Sequence, residues 1–93
     1  MRKCFRLGGV PWTVRLEDFD SLGYIDDWPA SKYDGVTVPK THTIYVSDNL
    51  TGMKKCCILL HEMLHAMLPE ASERWVRSRS EFMSKVLGWA GIQ

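Results

Sequence analysis

Hydrophobic and polar positions alternate through the first half of the chain and recur at helical spacing in the second. Residues 3–7 and 10–16 read as two strands around Gly8-Gly9, a pair that accepts the positive φ angles of a tight hairpin. Pro11 lacks an N–H and belongs at a strand start or on an edge. Leu16, Phe19 and Leu22, three apart, fit a short helix. Asp34-Gly35 is a turn signal before Val36-Thr37-Val38. From His42 to Val46 the alternation is strict. His42, Ile44 and Val46 face one way and Thr43 and Tyr45 the other, which predicts a half-buried strand.

Between residues 49 and 68 there is no proline, and apolar side chains fall on nearly every side of a helix over about 50–68. Such a helix is expected to be the buried centre of the domain. Pro69 ends it, because its ring and missing N–H break the ladder. A second helix over about 71–87 carries Trp75, Val76, Phe82, Met83, Val86 and Ala90 as one stripe, with Gly88 as its terminator. The pattern predicts a single α+β domain over residues 1–93, β-rich to about residue 48. A small antiparallel or mixed sheet is followed by a buried helix and a second, C-terminal helix.

Composition narrows the classes. With 93 residues the chain builds one core, and 45% hydrophobic against 25% charged residues is ordinary globular usage. A formal net charge of +1 gives no general attraction to nucleic acid or an anionic membrane. Acids concentrate from Glu17 to Asp34 and bases from Met1 to Arg15, as solvated surfaces allow. The longest apolar run, residues 56–60, is far short of a membrane span, and no apolar stretch follows the basic N-terminus to make a signal peptide. Cys4 and the adjacent Cys56 and Cys57 include no Cys-x-x-Cys and suit a reducing, cytoplasmic setting, as small buried hydrophobes.

The chemistry concentrates in His61-Glu62-Met63-Leu64-His65. Histidines at i and i+4 share one helical face, with Cβ atoms about 5–6 Å apart, so both imidazoles reach one tetrahedral Zn²⁺. Glu62 points about 100° further round, placed to take a proton from water as general base rather than to ligate. Two histidines and a glutamate in an otherwise apolar helix each need a polar partner, and one metal ion answers for the histidines. A catalytic zinc takes three protein ligands. No histidine follows His65, which leaves Glu70, Glu73, Glu81 or the preceding His42. Helical phase centres the second helix's stripe near Arg79, Val86 and Ala90. That puts Glu70 and Glu81 nearly opposite and Glu73 at the stripe's edge in the first turn, where an acid also suits the helix dipole. Glu73 is favoured, with His42 as its rival.

The stretch from Ile44-Tyr45-Val46 through Ile58-Leu59-Leu60-His61-Glu62-Met63-Leu64-His65-Ala66-Met67 resembles small zincin-type metallopeptidase domains of phages and prophages, akin to the ImmA/IrrE-like group. Gly23-Tyr24 and the glutamate in Ser72-Glu73-Arg74-Trp75-Val76 share in the resemblance. It implies a minimal zincin-like fold and a zinc peptidase acting on a protein or peptide, with His61, His65 and Glu73 as ligands and Glu62 as base. It further implies that the strand before the active helix, residues 42–46, carries substrate by edge pairing. Tyr24, Tyr33 and Tyr45 are candidates for oxyanion support. No long helix is expected before the sheet, unlike in that group, which motivates a second expectation: a zinc-stabilised, non-catalytic protein-binding or regulatory module. A nucleic-acid-binding helix through Arg74, Arg77 and Arg79 is disfavoured, because Glu70, Glu73 and Glu81 dilute its charge.

Overall fold

A computed structural model describes residues 1–91. In chain order its elements are β1 (Arg2–Leu7), β2 (Val10–Glu17), α1 (Phe19–Leu22), β3 (Tyr24–Ile25), β4 (Trp28–Pro29), β5 (Gly35–Val38), β6 (Thr43–Ser47), α2 (Gly52–Met67) and α3 (Glu73–Trp89). Two single 3-10 turns, Ala30–Lys32 and Pro39–Thr41, flank β5. β1 and β2 form the antiparallel hairpin expected around Gly8 (φ 59°) and Gly9 (φ 82°). Both glycines occupy the left-handed region that a two-residue hairpin turn requires. β6 runs parallel to β2 and antiparallel to β5, giving a mixed sheet of order β1-β2-β6-β5. The α+β arrangement of a mixed sheet with two long helices thus stands.

Strand alternation sorts the side chains into two layers. Trp12, Ile44 and Val46 form one core with Leu50, against which Val14, Leu16 and the α2 residues Ile58, Leu59, Met63 and Ala66 pack. On the opposite face Val36, Val38 and Tyr45 meet Phe19, Leu22, Ile25 and Ala30. β6 is therefore central and covered on both faces, not half-buried: Thr43, Ile44, Val46 and Ser47 are all buried. His42 falls outside the strand. It ends the second 3-10 turn in a left-handed conformation (φ 49°) and stacks on Trp12 with ring centroids 4.9 Å apart. The β3–β4 hairpin was not anticipated, since strands of two residues carry no alternation to read.

Both helices depart from expectation in informative ways. α2 is not buried all round; only Glu62 and Leu64 are buried, and Met53 and Met67 are exposed. The sheet covers one side and α3 another, leaving a third side open. α3 starts at Glu73, where Ser72 caps it by accepting from the Trp75 N–H (3.1 Å), and it passes through Gly88 to end before Gly91, which has φ 77°. Its buried row is Val76, Ser80 and Ser84, while Trp75, Phe82, Met83 and Val86 are exposed. The serines let the helices approach closely and bond back within α3, Ser80 to the Arg77 carbonyl (3.1 Å) and Ser84 to that of Glu81 (2.9 Å). Small size and satisfied hydroxyls outweighed apolar surface in choosing the packed face. The cysteines are free, with Cys4 exposed and Cys56 and Cys57 half-buried rather than in the core. No described helix is long and apolar enough to cross a membrane.

Candidate metal centre

α2 presents Cys57, His61 and His65, four residues apart, to one cleft, and the two histidines meet the first turn of α3. The Ser72 cap fixes where α3 begins, and its first residue, Glu73, faces the two histidines. The carboxylate meets both rings: His61 Nε2 lies 2.9 Å from Glu73 Oε1 and His65 Nε2 lies 2.8 Å from Glu73 Oε2. The two imidazole nitrogens are 3.1 Å apart. His61, His65 and Glu73 form the one such ligand cluster among the described residues.

The donor set is of a kind that could hold a metal ion. Each imidazole Nε2 has a single in-plane direction, which holds either a proton or a lone pair. If both nitrogens donate to Glu73, two N–H groups confront each other across 3.1 Å. If one accepts from the other, its lone pair also points at a carboxylate oxygen. No protonation state turns all three contacts into well-directed bonds, whereas one cation between them uses all three lone pairs. Ligands about 2.0–2.1 Å from a tetrahedral Zn²⁺ stand about 3.3 Å apart, close to the separations found here.

Glu62 lies on the β5 side of the helix. Thr37 Oγ1 is 2.7 Å from its Oε1 and 3.0 Å from its main-chain carbonyl. Burial pushes the Glu62 carboxyl above the ordinary carboxylate range, and the Thr37 bond and the two histidines only partly oppose the shift. Glu62 shares with the three clustered residues a cleft of about 640 Å³, closed on one side by Trp28 and Tyr33, whose rings meet edge to face at 5.7 Å. Of the three tyrosines, Tyr33 lines this cleft. Tyr24 is 70% exposed elsewhere, and Tyr45 lies under Arg15 on the far side of the sheet.

The remaining candidates fall away from the cluster. Glu70 sits in the turn between the helices and His42 on Trp12. Glu81 lines the same cleft two turns beyond Glu73 but is not in the cluster. Edge pairing along residues 42–46 is ruled out, because β2 and β5 occupy both edges of β6. The edge strand beside the cleft is β5.

Sequence reasoning passed over Thr37 and Gly35. Thr37 alternates out of phase with Val36 and Val38, which is the signal that it faces α2. A Cβ on Gly35 would stand 2.7 Å from Ile58 Cγ2 and 3.0 Å from Glu62 Cγ, so glycine is what lets β5 approach the helix here. Arg77, one turn beyond Glu73, reaches to 3.7 Å from Glu73 Oε1 and also lines the cleft. Compared with protein-family profiles, curated proteins and solved structures, the chain matches none of them.

Proposed function

We propose that this chain is a zinc-dependent metallopeptidase that cuts a peptide bond in a protein partner. The observation that carries the reading is the convergence of His61 Nε2, His65 Nε2 and the Glu73 carboxylate within 2.8–3.1 Å, beside a buried glutamate in a common cleft. These three residues would hold the ion. When bound, Zn²⁺ supplies a Lewis acid and makes water a competent nucleophile near neutral pH. Glu62 takes the proton from the attacking water and returns it to the leaving amide nitrogen. Thr37 holds Glu62 toward the cleft, and the free edge of β5 offers main-chain groups to an extended substrate.

Glu62→Gln should retain stoichiometric metal and lower hydrolysis of a peptide library by about 10²–10⁴-fold. Glu73→Ala should lose the metal in protein purified without chelator. An active Glu62→Gln enzyme, or metal-free wild-type protein, would sink the proposal. A second reading, a zinc-stabilised binding module without turnover, is favoured by the Thr37–Glu62 pair, which also serves to pin β5 to α2. It is distinguished by wild-type protein that binds zinc yet leaves every peptide intact.

A further inference from the structure

Four of the apolar residues that α3 leaves outside, Trp75, Phe82, Val86 and Trp89, fall with Arg79 at intervals of four, three, four and three, the interval of a seam on which another helix lies, and the exposed Met83 stands beside that row. Trp75 is 38% exposed, Phe82 65%, Val86 45% and Trp89 88%. The seam runs about 21 Å at about 1.5 Å per residue. At its Trp75 end it opens into an apolar groove formed with Met67, Leu68 and Pro69.

Charge selects the occupant. Arg79 stands within the seam, its guanidinium 5.1 Å from the centre of the Trp75 ring, which leaves its outer donors free for a carboxylate. Arg74 and Lys85 border the same side of the helix. Glu73 lines the metal cleft, and Glu81, which also reaches it, shares a helical row with Arg74 and Lys85; Glu70 lines the end groove, so the charge within the seam itself is that of Arg79. We propose that this seam docks an amphipathic helix of a partner protein that carries carboxylates beside its apolar row. A second copy of α3 fits poorly: antiparallel pairing about Phe82 sets Arg79 near the other copy's Lys85, and parallel pairing sets Arg79 against Arg79. A bilayer surface favours a broad, uninterrupted apolar face, whereas here Arg79 stands between Trp75 and Phe82.

The test uses the whole chain and two designed helical peptides with leucines at the same four–three spacing. One carries glutamate beside the leucines and the other lysine. Amide shifts are followed by NMR, with oligo(dT) and phosphatidylserine vesicles as further probes and sedimentation for mass. The glutamate peptide should bind and move the amides of residues 75–89. Arg79→Glu should weaken it by about tenfold or more, equivalent to about 1.4 kcal/mol, and reverse the preference toward the lysine peptide. Phe82→Asp should remove binding. Both side chains are exposed, and unchanged thermal unfolding verifies that each variant folds. Failure of both peptides to bind, equal binding of both, seam shifts confined to oligo(dT) or vesicles, or a doubled mass without peptide would each overturn the proposal.

Discussion

Two faces of α2 are built on opposite terms. Leu59, Met63 and Ala66 pack onto Trp12, Ile44 and Val46, and that face has nothing to do except exclude water. About a third of a turn away, His61, Glu62 and His65 place polar atoms in a half-covered cleft, where desolvation works against the Glu62 carboxylate. The first face stabilises the fold with or without a ligand; on the proposed metal reading, the second makes stability depend on what is bound. The contrast yields a testable order: substitutions behind the apolar face should cost stability under every condition. Changes on the polar face should register mainly in the presence of metal, and one of them should stabilise the metal-free protein.

Ile44→Ala is expected to have the largest effect. Ile44 is fully buried at the centre of the sheet, and truncating such a side chain costs about 2–5 kcal/mol through lost transfer energy and the cavity left behind. Urea unfolding should show that loss equally with zinc and with chelator. A loss present only with zinc would mean that the apolar face is not an independent core. Metal comes next. Zinc at a thousandfold excess over its dissociation constant should raise wild-type stability by about 4 kcal/mol, through mass action on the folded state. His65→Ala should abolish that gain while changing the chelated protein far less. A zinc-dependent gain that survives His65→Ala would remove the cluster from the metal reading.

How much of this was legible in sequence follows from the same contrast. The α+β order, the β1–β2 hairpin and the His61–Glu62–His65 triplet rest on local signals: glycine turns, period-two alternation and i, i+4 spacing. The packed face of α3 was not legible, because the apolar stripe gave the wrong phase. Val76, Ser80 and Ser84 face α2, and it is their row that places Glu73 opposite the histidines. Glu73 was reached through a stripe of which Val76 alone belongs to the buried row, so the selection of the residue did not rest on the true phase. Thr37 and Gly35 escaped notice because their importance comes from β5 lying against α2, a contact between segments 25 residues apart in the chain. No short-range pattern encodes it.

Gly35→Ala probes the seam between the two regimes. Its new Cβ would stand 2.7 Å from Ile58 Cγ2 and 3.0 Å from Glu62 Cγ, one neighbour from each face. Overpacking of this kind costs about 1–3 kcal/mol. Because Glu62 must also give way, zinc-dependent hydrolysis should fall by more than the lost stability explains at temperatures where the variant remains folded. Unchanged stability would show that β5 moves freely against the helix and that glycine is not required there.

The smallest effect is the most discriminating. Burial raises the Glu62 carboxyl above its unfolded value, so between the two values the folded chain holds a proton that the unfolded chain has released. Stability from this group therefore falls as pH rises through that window. The penalty is absent below the ordinary carboxylate range and complete above the raised value. Glu62→Gln removes the charge while keeping an oxygen for the Thr37 hydroxyl to donate to. In chelator at neutral pH the variant should be more stable than wild type by on the order of 1 kcal/mol, the scale of one buried polar group, or about 4–8 °C in Tm for each kcal/mol. The advantage should vanish at acidic pH, where the wild-type carboxyl is protonated in both states. A variant less stable than wild type at neutral pH would mean that the Thr37 bond outweighs desolvation. Glu62 would then belong to the structural face of α2 rather than the strained one.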